Sequence, residues 1–164
     1  MTTETYIARL VLPAAYTLLP AGMASPRASA QLIAIGRQES DGWKARTQYQ
    51  GGPARGFWQF EKGGGVTGVL RHAATKEHAR RICHLLCVEP TPAAVWTAIE
   101  YQDVLAACFA RLLLWTDARP LPNADEPEAG WEIYQQTWRP GRPHQATWAA
   151  NFAAGWALPW PGQS

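Results

Sequence analysis

The spacing of apolar residues predicts helices along most of the chain. Ala28, Leu32 and Ile35 lie four and three residues apart, which places them on one face of a helix. Gly42 follows as a suitable C-terminal cap residue, so this helix is predicted over residues 26–40. The same pattern predicts further helices over residues 76–88, 92–115 and 127–138, and one more after residue 144.

A polar residue followed by proline stands at the start of three predicted helices. Proline is well tolerated in the first helical turn, and a polar residue before it is typical of a helix start. The pairs are Ser25-Pro26, Thr91-Pro92 and Glu126-Pro127. The segment 92–115 is the longest of the predicted helices, and its apolar stripe makes it the expected central helix.

Glycines interrupt the helical pattern between Gln48 and Gly68, which is typical of a loop or a short hairpin. No internal repeat and no long linker divides the chain, so we expect a single domain over residues 1–164. The predicted fold class is α+β but predominantly α. In it, the glycine-rich segment forms a small second lobe, and residues 63–68 are the expected mobile edge of a cleft.

Composition and charge exclude several classes of function. The 164 residues are 47% hydrophobic and 17% charged, which indicates a packed domain rather than a disordered chain. The net charge of +2 provides no electrostatic footprint for nucleic acid, and we expect no nucleic-acid partner. No apolar run reaches the roughly 18 residues of a spanning helix, so no membrane span is predicted.

Two weaker signals are interpreted as structural. The apolar stretch 10–23 has the composition of a signal peptide, but prolines interrupt it and Glu4 precedes it, so we expect no export by this segment. A group of possible zinc ligands falls on one predicted helix instead of on two separate segments, so we expect no metal and no cofactor. These residues are His78, Cys83, His84 and Cys87.

Glu39 is the candidate catalytic residue because it ends the otherwise apolar face of the helix over residues 26–40. Partial desolvation and the negative end of the helix dipole both disfavour a charged carboxylate there and raise its pKa. A raised pKa is what a general acid needs at neutral pH. The alternative is a surface carboxylate that caps the helix, paired with Arg37, Arg46 or a backbone donor.

Two motifs around Glu39 resemble those of lytic transglycosylases and goose-type lysozymes. The segment 35–40, I-G-R-Q-E-S, is similar to the end of their catalytic helix, where a Glu-Ser pair closes the helix. The segment 54–59, A-R-G-F-W-Q, resembles their small-x-Gly-Leu-Met-Gln motif, with Phe57 and Trp58 in place of Leu and Met. A weaker third match is Tyr134-Gln135, where the family has Tyr-Asn.

The resemblance implies a lysozyme-like fold and cleavage of the β-1,4 bond between N-acetylmuramic acid and N-acetylglucosamine in bacterial peptidoglycan. Glu39 would protonate the leaving oxygen and then take the proton of the muramoyl C6 hydroxyl, which closes a 1,6-anhydro ring. Hydrolysis would need a second carboxylate, for which Glu61 and Asp41 are the candidates. The expected substrate-binding residues are Ser40, Trp43, Trp58, Gln59 and Tyr134.

Each of these residues also has a structural interpretation. Gln59 can hold a substrate N-acetyl group or pin its own loop, and Tyr134 can reach the acid or sit in the core. Trp43 and Trp58 flank Glu39 in sequence and are the expected platforms for sugar rings. The later tryptophans recur at near-helical spacing and are predicted to lie in the core; they are Trp131, Trp138, Trp148 and Trp156.

A small murein-cleaving domain of this kind indicates a bacteriophage endolysin or a lysin carried in the virion. Its partners would be peptidoglycan glycan strands and other virion proteins, and its location the virion, or the host cytoplasm before release to the periplasm and cell wall. One alternative is a virion structural or glycan-binding protein that keeps the lysozyme-like shape without catalysis. Another is cleavage of chitin-like glycans.

Overall fold

The computed structural model describes residues 1–160, which are predominantly helical, as the sequence predicted. This part of the chain contains no β-strand beyond two isolated bridges, Thr47 to Arg55 and Arg55 to Phe60, so the β component of the expected α+β class is not confirmed. Residues 161–164 of the predicted domain lie outside the described residues. The helices are α1 (Thr3–Tyr6), α2 (Leu12–Leu18), α3 (Pro26–Glu39), α4 (Thr67–Arg71), α5 (Lys76–Leu85), α6 (Pro92–Ile99), α7 (Asp103–Trp115), α8 (Pro127–Trp138) and α9 (Gln145–Trp156).

Helix α3 begins and ends where the sequence predicts. The Ser25 side chain accepts a hydrogen bond from the backbone of Ala28, which caps the helix start. Most of α3 is buried, and it packs closely along α9. A side chain at Gly155 would meet the backbone oxygen of Ala30 at 2.3 Å, so glycine permits this close approach of the two helices.

The predicted single helix over residues 92–115 is wrong, because the chain forms α6 and α7 with a break between Ile99 and Asp103. Arg46 binds residues at this break. Its guanidinium donates to the backbone oxygen of Glu100 at 3.0 Å and binds both carboxylate oxygens of Asp103, at 2.5 and 2.9 Å. At the break, the Glu100 carbonyl and the Asp103 carboxylate, which starts α7, are therefore both free to bind Arg46, which comes from an earlier loop.

The N-terminal segment over residues 3–18 is helical, which was not predicted from the sequence. A π-helical turn over Ile7–Val11 joins α1 to α2, and the backbone stays helical from Thr3 to Leu18. Pro13 is the second residue of α2 and lies two residues after the end of this π-helical turn, so the helical backbone continues through a residue that has no N–H to donate. The buried side of this segment packs against α7. No helix within residues 1–160 combines the length and apolar character needed to cross a bilayer.

The glycine-rich segment is irregular up to the start of α4. A short turn covers Tyr49–Gly51, and Lys62–Val66 forms a second, kinked turn that leads into α4; the backbone is not helical at Gln50 or at Gly64. Val66 is buried, and a side chain at Gly65 would meet the Phe60 ring at 2.7 Å. The loop predicted up to Gly68 therefore ends at α4, which begins at Thr67, whereas the mobile cleft edge over residues 63–68 stays a prediction.

Candidate functional site

Glu39 is the last residue of α3 and is partly buried. Ser40 caps the helix: its hydroxyl donates to the Gly36 oxygen at 2.6 Å and accepts from the Trp43 backbone N–H at 2.8 Å. Ser40 has no exposed surface. Its hydroxyl therefore fixes the end of α3 and the turn after it, and it is not placed to contact a substrate.

Tyr134 reaches Glu39 from α8. Its hydroxyl donates a hydrogen bond to a Glu39 carboxylate oxygen at 2.5 Å. The Tyr134 ring is buried and stacks on Trp148 of α9, with centroids 5.3 Å apart and planes at 9°. Trp131 packs against the same ring at 5.3 Å. An aromatic cluster from α8 and α9 therefore holds the hydroxyl in place against the carboxyl group.

Three effects determine the proton affinity of Glu39. Burial raises its pKa most, and the negative charge of Glu61 raises it further, whereas the hydrogen bond from Tyr134 lowers it; the net result is a pKa of about 7. The influence of Glu61 means that the two carboxyl groups lie within electrostatic range of each other. At neutral pH Glu39 is therefore divided between its protonated and ionised forms, as an acid and base catalyst requires.

Two tryptophan hydrogen bonds bring the loop at residues 54–59 to this site. The Trp58 indole N–H donates to the Leu32 oxygen of α3 at 2.9 Å, and the Trp138 indole N–H donates to the Trp58 oxygen at 2.9 Å. Gln59 follows with a positive φ of 48°. Its side-chain amide donates to the Gly56 oxygen at 2.9 Å, so this amide pins its own turn. Glu61 is exposed.

The proposed sugar platforms Trp43 and Trp58 are wrong as surface features, because both rings lie in the core. Trp58 has no exposed surface and Trp43 is 7% exposed. The Trp43 ring packs where a side chain at Gly36 would be, and its N–H donates to Glu4 at 3.1 Å. A buried ring has no free face on which a sugar can stack, so both indoles are structural.

The later tryptophans lie where they were predicted. Trp131 and Trp148 are buried, and Trp138 and Trp156 pack against the core. The exposed aromatic residue nearest to Glu39 in sequence was not identified from the sequence. It is Tyr49, which is 65% exposed and has its hydroxyl 3.4 Å from an Asp41 carboxylate oxygen. The sequence carries no signal that separates this exposed ring from the buried ones.

Two hollows of the surface are lined by residues other than Glu39, Glu61 and Tyr134. A shallow depression of about 500 Å³ lies between the end of α5 and α6, and a hollow of about 280 Å³ lies beside the segment 119–123. Cys83 and Cys108 are buried, but Cys87 is exposed. Within residues 1–160, no group of three or more side chains is arranged as a metal site.

The raised pKa of Glu39 predicts a specific dependence of stability on pH. Because the folded state holds this proton up to about pH 7 and an unfolded glutamate loses it near 4.5, the proton stabilises the fold at low pH. That stabilisation is lost as pH rises from about 4.5 to 7, by up to about 3 kcal/mol. Glu39→Gln removes this dependence of stability on pH.

Denaturant unfolding of both proteins between pH 4 and 8 measures the effect. The free energy of unfolding of the wild type should fall relative to that of Glu39→Gln across this window. Parallel curves would show that the Glu39 carboxyl titrates as an ordinary exposed group does.

The two neighbours of Glu39 should shift its titration in opposite directions. Tyr134→Phe removes the hydrogen bond that lowers the pKa of Glu39, so this pKa should rise. Glu61→Gln removes the charge that raises it, so the pKa should fall. Carbon-13 NMR of the Glu39 carboxyl group measures its pKa in both variants without reference to activity. Shifts of the same sign in the two variants would contradict the arrangement.

Similarity to known proteins does not assign this chain to a family. No family model matches its sequence, and neither a curated protein nor a solved structure matches it. The function therefore has to be argued from the residues of the site and from their geometry.

Proposed function

We propose that this protein cleaves the glycan strands of bacterial peptidoglycan, at the β-1,4 bond between N-acetylmuramic acid and N-acetylglucosamine, with Glu39 as the general acid. The observation that carries the proposal is the partly buried carboxyl of Glu39, bonded to the Tyr134 hydroxyl at 2.5 Å and with a pKa raised to about 7. A carboxyl in such surroundings can be protonated before the reaction and ionised after it.

In the proposed reaction, Glu39 gives up one proton and later regains one. Glu39 transfers it to the glycosidic oxygen as the bond from that oxygen to C1 of the muramoyl residue breaks. The Glu39 carboxylate then accepts the proton of the muramoyl C6 hydroxyl, whose oxygen bonds to C1 and closes a 1,6-anhydro ring. Glu39 is thereby reprotonated, and no water is consumed. The Tyr134 hydrogen bond orients the carboxyl and stabilises its ionised form between the two steps.

Glu61 provides the alternative route. Its charge acts on Glu39, and an exposed carboxylate can activate a water molecule or stabilise positive charge at C1. The products would then carry ordinary reducing ends. We favour the anhydro route because it needs no carboxylate besides Glu39, whose carboxyl group is held by the hydrogen bond from Tyr134.

The sequence motifs support the same assignment. A Glu-Ser helix end at residues 39–40 and a glycine-containing loop at residues 54–59 resemble those of lytic transglycosylases and goose-type lysozymes. In this chain, the Trp58 indole fastens the second motif to the helix that carries the first. We propose on this basis a lysozyme-like domain that acts as a bacteriophage endolysin or virion lysin.

Incubation with purified murein, followed by mass spectrometry of the released fragments, tests the proposal. Anhydro products are lighter than hydrolysis products by one water, so the mass decides between the two routes. If no fragment is released, the proposed activity is refuted. Chitin oligomers in a parallel reaction test the substrate class, because they lack the muramoyl lactyl group and the peptide stem.

A further inference from the structure

The loop between α8 and α9 covers residues 139–144 and is tied to the candidate site at both ends. The indole N–H of Trp138, just before the loop, donates to the Trp58 oxygen at 2.9 Å. The backbone oxygen of His144, the last residue of the loop, accepts a hydrogen bond at 2.9 Å from the side-chain amide of Gln38 in α3. One end of this α8–α9 loop is therefore joined to the second sequence motif, and the other to the residue just before the candidate acid.

Two arginines lie close to these anchored ends. The Tyr134 hydroxyl binds Glu39, and the Tyr134 ring lies 6.4 Å from the ring of Trp138 one helical turn later. Arg139 directly follows Trp138, and Arg142 lies two residues before the other anchored end, which is at most about 7 Å of extended chain. Both arginines are therefore held beside the residues that surround the candidate acid.

The α8–α9 loop carries positive charge that no acidic side chain balances. Arg139 and Arg142 are both exposed. Within residues 1–160, neither of them forms an ion pair with a carboxylate. The sequence contains no aspartate or glutamate after Glu132. Since the net charge of the whole chain is only +2, this loop is a local cationic surface next to the candidate site.

Arg139 also occupies a backbone position that favours glycine. It follows the last residue of α8 with a φ of 49°, in the left-handed region, and its N–H donates to the Gln135 oxygen at 3.0 Å. Glycine is the usual residue in such a helix cap, because a side chain makes the left-handed conformation less favourable. The turn itself therefore gives no reason for an arginine at this position.

The proposed substrate has an anionic part that matches this surface. The N-acetylated sugars of the glycan strand are uncharged, because the lactyl group of each muramoyl residue is joined to the peptide stem as an amide. The stem carries free carboxylates and begins at the sugar whose bond is cleaved. A guanidinium binds a carboxylate through two N–H groups, which fixes its orientation as well as its distance.

We propose that the α8–α9 loop binds carboxylates of the peptide stem through Arg139 and Arg142, and that the protein therefore prefers glycan strands that carry stems. This inference rests on the proposed function and extends it from the glycan bond to the peptide beside it. The two arginines bind and position the substrate, whereas the proton transfers remain with Glu39.

A synthetic stem peptide tests the binding without any cleavage. The probe is the stem tripeptide with free carboxylates, and the matched probe is the same peptide with every carboxylate converted to an amide. In NMR titrations at about pH 7 and about 0.15 M salt, the backbone N–H signals of Arg139 and Arg142 should shift and saturate with a Kd of about 1 mM for the first peptide. The amidated peptide should bind about tenfold more weakly or not at all.

Arg139→Gln/Arg142→Gln removes both charges and should raise the Kd of the tripeptide about tenfold, because two exposed charged contacts are lost. With intact murein, it should raise KM by a similar factor without a loss of kcat. On strands whose stems an amidase has removed, the difference between the variant and the wild type should disappear. Arg9→Gln/Arg27→Gln, the same change at two other exposed arginines, is the matched control and should give wild-type values throughout.

This inference and the proposed cleavage fail in different ways. If the tripeptide binds as expected but murein is not cleaved, the cleavage is refuted and the peptide site stands. If murein is cleaved, but both peptides bind alike or the arginine variant keeps the wild-type KM, the cleavage stands and the peptide site is overturned. If the arginine variant does not fold, the comparison of the two peptides on the wild type decides alone.

Discussion

Glu39→Gln should lower the rate of glycan cleavage by a factor of about 10²–10⁴, the usual contribution of a general acid and base. Glutamine has nearly the same shape and can still accept the hydrogen bond from Tyr134 through its amide oxygen. It has no proton to give to the glycosidic oxygen. The loss should therefore appear in kcat, with the affinity for glycan strands little changed.

The pH profile of the wild type provides a second measurement of the same group. Since the protonated form starts the reaction and the pKa of Glu39 is about 7, kcat/KM should fall about tenfold per pH unit above neutrality. The rate at which a murein suspension loses turbidity measures both the loss of activity in Glu39→Gln and the pH profile of the wild type. Glu77→Gln, at an exposed position on α5, is the matched control and should retain full activity. If Glu39→Gln kept wild-type activity, another residue would have to be the acid.

Helices whose signals are local could be predicted from the sequence. The Ser25 cap, the proline after it and the apolar face of α3 all lie within the helix or next to it, and they gave its bounds to within one residue. Helices α8 and α9 followed from the same kind of pattern. The side chain of Glu39 was identified in the same way, because the end of an apolar helix face is visible in the sequence.

Features that depend on distant residues could not be predicted. The residues at the break between α6 and α7 are bound by Arg46, which lies more than fifty residues earlier in the chain than its partners. The apolar periodicity over residues 92–115 is not affected by that arginine, so this periodicity indicates one continuous helix. The hydrogen bond between Tyr134 and Glu39 spans 95 positions. Tyr134 was chosen as a candidate from a resemblance between motifs, and the spacing of residues alone would not have found it.

The exposure of the aromatic rings was predicted least well. Trp43 and Trp58 flank Glu39 in sequence, but their burial depends on how the loop packs back onto α3. The absence of a side chain at Gly36 makes room for the Trp43 ring, and the Leu32 oxygen accepts from Trp58. A tryptophan beside a catalytic carboxyl in sequence can line a groove or fill a core, and only the tertiary packing decides between them.

Trp58→Ala should be among the most destabilising single substitutions in this chain. The ring is fully buried, touches Trp43 edge to face at 5.9 Å, and joins the loop to α3 through its N–H. Removal of a buried tryptophan costs about 3–5 kcal/mol, which corresponds to a loss of about 10 °C in Tm. Trp58→Phe retains most of the packing and loses the hydrogen bond to Leu32, so it should cost about 1 kcal/mol.

Tyr101→Ala removes an aromatic ring that is 73% exposed and should change the free energy of unfolding by about 0.5 kcal/mol or less. Calorimetry or denaturant unfolding measures the loss of stability in Trp58→Ala, Trp58→Phe and Tyr101→Ala, which should decrease in that order. Below the unfolding transition, Trp58→Phe should bind glycan as the wild type does, because no face of Trp58 reaches solvent. If Trp58→Ala were as stable as Tyr101→Ala and Trp58→Phe bound glycan more weakly than the wild type, Trp58 would be a surface platform for sugar rings after all.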